Sequence, residues 1–152
     1  MRRRAAPTVA VLNALNAVHR AFLVVTGGRI GWRVAGMPVV ELTTTGRRTG
    51  RPHHVLLTSP VQDGRTLVLV ASRGGDDRPP EWLRNVRADP AVRVRTGRGR
   101  RARPMRARVA DAGERAALWP RVTARYPAYA TYQARTSRRI ALVVLAPDTG
   151  RA

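Results

Sequence analysis

The 152-residue chain contains no cysteine. That excludes disulfides, thiolate metal sites and a cysteine nucleophile, and says nothing about compartment. Lysine is absent too: all 29 basic residues are arginine, against 9 acids, for a formal net charge of +20. Only three histidines are present, His19, His53 and His54, and the adjacent pair would point to opposite faces of a strand. No metal site is therefore expected. Aromatics make up just 5% of the chain and are not spread among the arginines as stacking platforms. With no nucleic-acid motif either, nucleic acid is not the expected partner. No stretch reaches the roughly eighteen apolar residues of a membrane span.

What is there suits one folded domain: 43% of residues are hydrophobic, in a length that supports a real core. The excess of arginine favours an anionic partner, although a lineage rich in arginine codons would show the same bias. Met1-Arg2-Arg3-Arg4 before an apolar run has the outline of a secretory leader. Asn13, Asn16, His19 and Arg20 interrupt that run, so a cytoplasmic protein is expected. Val11, Leu15, Val18, Phe22 and Val25 form one apolar stripe, which predicts an amphipathic helix over 8–26, stopped by Gly27 and Gly28. That helix either packs on the domain or lies on an anionic membrane, as peripheral contact with the inner face of the cell membrane. The chain accordingly divides into 1–28, the helix, and 29–152, the domain proper.

Residues 29–37 read as a loop. Strands are predicted over Val39–Thr44, His53–Ser59, Thr66–Ala71, Val92–Thr96, Met105–Val109 and Ile140–Leu145. Pro60–Gly64 reads as a turn. Pro104 predicts an edge position or a bulge. Pro79 and Pro80 suit the start of a helix carrying Glu81–Ala88, with Trp82, Asn85 and Val86 on one face. Asp111 and Glu114 have capping spacing before a helix over 112–125, and a short second helix holds Tyr126, Tyr129 and Tyr132. Six strands with inserted helices and no βαβ alternation predict an α+β fold.

Four stretches are candidates for chemistry. The turn Gly46-Arg47-Arg48-Thr49-Gly50 offers backbone N–H groups, guanidinium donors and a hydroxyl to phosphate or carboxylate oxygens. It lacks the Lys-Ser/Thr ending of a P-loop, and the plain alternative is a hairpin turn with solvated arginines. Ala71-Ser72-Arg73-Gly74-Gly75 follows a buried strand, a common place for ligands. Trp82 and Asn85 would cover a flat ring and satisfy amide-like edges, unless the tryptophan belongs to the core. The three tyrosines either form a phenolic wall for an acceptor or an ordinary core stripe.

Taken together, these stretches resemble a known family. Leu42-Thr43-Thr44-Thr45-Gly46-Arg47-Arg48-Thr49-Gly50-Arg51-Pro52 is similar to the signature of the deazaflavin-dependent nitroreductases. So are Val70-Ala71-Ser72-Arg73-Gly74-Gly75, Trp82 with Asn85 and Asp89-Pro90, and Tyr126-Pro127-Ala128-Tyr129-Ala130-Thr131-Tyr132-Gln133. Order and spacing agree over about 38–147. The resemblance implies a split β-barrel that binds coenzyme F420, an 8-hydroxy-5-deazaflavin with a phosphate and an oligoglutamate tail. It implies hydride transfer from the reduced form to a small organic acceptor: a quinone, an enone or a nitro compound. Arg47, Arg48 and Thr49 would then hold the phosphate or tail. His53, His54, Val55, Leu56 and Leu57 would run beside the cofactor. Val70, Ala71, Ser72 and Arg73 would pass close to it, and Glu81, Trp82, Leu83, Arg84 and Asn85 would close over it. Tyr126, Tyr129, Tyr132 and Thr58 would line the acceptor pocket, with Tyr129 or Tyr132 as the catalytic phenol. This chain has His53 where the family often has arginine, Leu56 where proline is frequent, and Thr58 at an aromatic position, so its pocket differs. Alternatives are a module that holds deazaflavin, flavin mononucleotide (FMN) or haem without turnover, and a charge-driven nucleic-acid binder. Split barrels often pair, which allows a homodimer.

Overall fold

A computed structural model describes residues 33, 34, 36–97 and 100–150. The expected helix over 8–26 and the division at residue 28 lie outside the described residues. The elements are β1 (Arg33–Val34), β2 (Met37–Thr45), β3 (Pro52–Thr58), β4 (Val61–Asp63), β5 (Thr66–Val70), α1 (Glu81–Ala88), β6 (Ala91–Thr96), β7 (Arg103–Val109), α2 (Ala112–Arg125), α3 (Ala128–Ala134) and β8 (Leu142–Pro147).

The sheet runs β1-β2-β6-β7-β8-β5-β4, with β3 also on β2, and every pairing is antiparallel. The seven strands β2–β8 curl into a half-barrel, the split-barrel architecture expected of the α+β class. Its outermost strands, β3 and β4, are consecutive in the chain and separated only by Ser59 and Pro60. Ser59 is fully buried at that corner. Its N–H donates to the Pro38 carbonyl (3.0 Å), and its hydroxyl lies 2.9 Å from the carbonyl oxygens of both Val61 and Val68. One small polar side chain thus ties the β2–β3 hairpin to β5.

Alternation along each strand sets what it faces. Val40, Leu42, Leu67, Leu69, Val92, Val94, Met105, Ala107, Val143 and Leu145 fill the barrel, and Trp82, Leu83 and Val86 of α1 plug it. Val68, Val70, Leu142 and Val144 point the other way, under Leu118 and Val122 of α2 and Tyr129 of α3. Strands β5 and β8 are therefore buried on both faces, which is why they read as unbroken apolar runs. Strands β6 and β7 bury one face only, so Arg93, Arg106 and Arg108 alternate outward.

The structure departs from the expected elements in four places. Residues 29–37 were expected as loop, yet Arg33–Val34 pairs with Met37 and Pro38. The stretch read as a turn contains β4, whose Val61 is buried against β5 while Gln62 and Asp63 face solvent. The last strand starts at Leu142 and extends to Pro147. Tyr126 is not in the second helix. It caps the C-terminus of α2 with φ −130°, because Pro127 disfavours helical backbone at the residue before it. Pro104 does sit in β7, outside the stretch paired with β8, which begins at Met105. Asp111 caps α2 as expected, accepting from Glu114 N–H at 2.8 Å.

Candidate active site

The glycine-bounded turn connects β2 to β3. Gly50 N–H donates to Gly46 O (2.7 Å) and Gly46 N–H to Arg51 O (2.8 Å). Gly50 has φ +67°, a backbone state that side chains rarely adopt. A Cβ on Gly46 would lie 2.7 Å from the His53 ring and from Thr49 Oγ1, so a larger residue there would displace one of these side chains. Arg47 is held by α1. Its N–H and its Nη1 both donate to Asn85 Oδ1 (3.2 Å each), and Nη1 also pairs with Glu81 Oε2 at 2.6 Å. Asn85 is buried and donates its amide N–H to Thr44 Oγ1 (3.2 Å). Chiefly through the Arg47 hydrogen bond, the Glu81 carboxyl is held below its usual range. Glu81 also meets Arg84 at 3.3 Å. Arg48 and Thr49 are exposed, and their backbone N–H groups have no partner among the described residues. Thr49 Oγ1 accepts from Arg51 N–H (3.2 Å), which leaves its O–H to donate outward. The turn therefore presents two backbone N–H groups, a guanidinium and a hydroxyl as free donors, the chemistry that an anionic group requires.

Along β3, Val55 and Leu57 pack against the barrel core, whereas Leu56 turns outward and is buried against Val39. His53 and His54 are exposed, and His54 Nδ1 lies 2.9 Å from Thr43 Oγ1. Strand β5 ends at Val70; buried Ala71 follows and leads into Ser72 and Arg73, which are half-buried. Arg73 has φ +45°, the sole positive value outside glycine among the described residues. Such a residue commonly marks a functional loop. A brace that sequence reading missed holds this loop. Arg138 donates to three carbonyls: Ala71 (3.2 Å), Ser72 (2.9 Å) and Asp76 (2.8 Å). Burial, with help from Arg73, pushes its guanidinium below the usual value, and Asp76 and Asp77 oppose that shift. The one available signal was chemical: a glycine-rich loop leaves carbonyls that an arginine fork satisfies.

At the far end of β3, Thr58 Oγ1 lies 3.2 Å from the Tyr129 hydroxyl, which also approaches Met37 Sδ at 3.7 Å. Tyr129 is buried, and desolvation raises its phenol above the ordinary value, with the Thr58 hydrogen bond opposing. Its ring meets Tyr132 edge-on, centroids 6.0 Å apart at 85°. Arg135 lies over Tyr132 and Arg125 over Tyr126. Tyr126 and Tyr132 are both half-buried.

Two of the candidate groups thus meet the two ends of one hairpin, and the Ser72–Arg73 loop stands apart at the end of β5. From Pro52, beside the donor turn, to Thr58, beside the tyrosines, is about 20 Å at the rise of an extended strand. The family model described as F420H(2)-dependent quinone reductase matches residues 16–147. The chain belongs to the F420H(2)-dependent quinone reductase family. An F420H(2)-dependent quinone reductase of Mycobacterium tuberculosis is 39% identical over 142 residues, covering 90% of both chains. The solved structure of an F420-H2 dependent reductase, FDR-A, aligns with TM-score 0.62 and 36% identity, over 72% of this chain and 94% of that one. A second structure, described as a domain-swapped dimer, aligns with TM-score 0.64 and 33% identity over 86% and 96%. Within this F420H(2)-dependent quinone reductase family member, Trp82 and Leu83 lie in the core, and Asn85 spends its amide on Arg47 and Thr44. The exposed donors of that region are instead Arg48 and Thr49, and Arg84 is half-buried at the margin.

Proposed function

We propose that the protein binds reduced coenzyme F420 along β3 and passes hydride to a quinone or a similarly conjugated acceptor. The carrying observation is the hairpin itself, with a turn rich in free donors at one end and a desolvated, hydrogen-bonded phenol at the other. Membership of the family and the names of its relatives support the same reading. The family's description names a quinone as acceptor, which favours the first of the quinone, enone and nitro acceptors that the resemblance implies.

Arg48 and Thr49 hold the phosphate or the acidic tail, and Arg47 joins them by exchanging an exposed carboxylate, Glu81, for the ligand's charge. Such exposed pairs are worth little, so the exchange costs little. Val55 and Leu57 offer an apolar edge, while the Ser72–Arg73 loop, braced by Arg138, keeps a fixed shape against the cofactor. When bound, the reduced deazaflavin supplies two electrons and a hydrogen as hydride. A quinone that accepts hydride also needs one proton to become a hydroquinone. Tyr129 keeps its proton through neutral pH, so its hydroxyl is a hydrogen-bond donor to a developing oxyanion, oriented by Thr58. Tyr126 and Tyr132 line the acceptor side. We extend the reading to a homodimer, supported by the domain-swapped relative, and to a cytoplasmic protein in peripheral contact with the inner face of the membrane, supported by the charge of +20 and the lipophilicity of quinones.

A fluorescence titration with F420, and with FMN in parallel, tests the proposal. Selective F420 binding should weaken about tenfold in Arg48→Ala, the loss of one charge-assisted contact. It should be followed by quinone-dependent oxidation of the reduced cofactor. Preference for FMN, or no binding of either, overturns it.

A further inference from the structure

On the face shared by α2 and α3, Arg115, Trp119, Gln133, Ser137 and Arg139 line an open recess of about 280 Å³. That is just below the range of about 300–1,000 Å³ usual for ligand sites, so an occupant must be small. Arg115 is fixed at its rim from three sides. Nε donates to Ile140 O (2.8 Å), Nη2 donates to Gln133 Oε1 (3.0 Å), and the guanidinium carbon sits 4.4 Å from the Trp119 ring centroid. Gln133 is itself fixed, accepting from Ile140 N–H (2.9 Å) and donating to Arg138 O (2.8 Å). These contacts consume Nε and Nη2. The Nη1 group of Arg115, the Arg139 guanidinium and the Ser137 hydroxyl have no partner among the described residues.

No carboxylate lines the recess. Five other arginines, Arg47, Arg84, Arg95, Arg108 and Arg121, each meet one. Here the neighbouring charge is of the same sign: burial, then repulsion from Arg139, pushes the Arg115 guanidinium below its usual value. Arginine does not escape such repulsion by losing its proton near neutral pH. A preoriented cation beside a second cation, with spare donors converging on a small volume, is relieved by a bound anion.

We infer that this recess binds an oxyanion, a phosphate or a carboxylate group, separately from the turn at Gly46–Gly50. Arg115 Nη1, Arg139 and Ser137 supply the donors, and Trp119 keeps Arg115 in place. Calorimetric titration of the intact protein with inorganic phosphate and, separately, with benzoate at constant ionic strength tests this. Saturable binding is expected for at least one, and whichever binds more tightly names the source of the oxyanion. Arg139→Ala removes an exposed side chain with no hydrogen-bond or ion-pair partner among the described residues and should weaken binding about tenfold, the loss of one charge-assisted partner. Ser137→Ala should weaken it by less, and Arg48→Ala should leave it unchanged. No saturable binding of either anion overturns the inference. So does equal affinity in Arg139→Ala, or loss of binding in Arg48→Ala, which would assign the anion to the turn.

Discussion

Replacing Asn85 with alanine tests whether α1 positions the donor turn. The side chain is 3% exposed and makes three hydrogen bonds of 3.2 Å, two from Arg47 and one to Thr44 Oγ1. A net hydrogen bond is worth about 1 kcal/mol, and a buried group left unpaired costs about 1–3 kcal/mol. Thr44 is buried and keeps no other side-chain partner among the described residues, whereas the Arg47 guanidinium retains Glu81. Asn85→Ala should therefore destabilise the fold by about 2–4 kcal/mol. For a domain of this size that is roughly 5–15 °C in Tm. With the Arg47 backbone released, F420 binding should weaken as well. Asn85→Asp separates the two effects. It keeps both acceptor contacts to Arg47, and the Thr44 hydroxyl can rotate to donate to it, so stability should stay within about 1 kcal/mol of the parent. Its added negative charge beside the turn should still weaken cofactor binding. Thermal unfolding and the fluorescence titration read the two quantities. A loss below about 0.5 kcal/mol in Asn85→Ala, together with unchanged binding, would refute the positioning role.

Gly75 has φ +85°, and a Cβ there would lie 2.6 Å from the backbone oxygen of Tyr132. Gly75→Ala should thus separate the 72–76 loop from α3 and lower stability by more than the ~1 kcal/mol of an ordinary glycine replacement, as read by urea unfolding. Thr58→Val and Tyr129→Phe, singly and together, should give a coupling energy of about 1 kcal/mol, because they share one hydrogen bond. Strict additivity would remove that bond from the account. The raised Tyr129 phenol sets an alkaline limit. The unfolded chain loses this proton near 10.0 and the folded chain at higher pH, so the contribution is complete below 10.0 and is lost as pH rises through the folded value. Tm should fall less steeply above pH 10 in Tyr129→Phe than in the parent.

Strands β6 and β7 were legible because arginine alternates with valine, methionine or alanine, and that period survives any tertiary context. The donor turn was legible because its glycines, arginines and threonine are contiguous. Strand β4 was hidden: with one buried residue of three, it exists only through pairing with β5. Position 126 was misplaced because spacing alone grouped the tyrosines, while Pro127 breaks the helix between them. Asn85 and Arg138 show the harder limit. Their partners lie 38 and 66 residues away, so no local pattern announces that one props the turn and the other the Ser72 loop.

Strand β8 pairs with β7 on one side and β5 on the other, joining Leu145 to Leu67 across 78 residues of chain. Of the strands described, it is also the last to leave the ribosome. Until it emerges, β5 and β7 each carry an uncovered edge, and the two cores on either face of β5 lack the side chains of β8 that complete them. Association of such edges with other chains competes with native closure during that interval. Synthesis rate across the α2–α3 segment, which separates β7 from β8, therefore governs how long a nascent chain stays adhesive. Slower translation there should lower the soluble yield without altering the stability of the finished molecule.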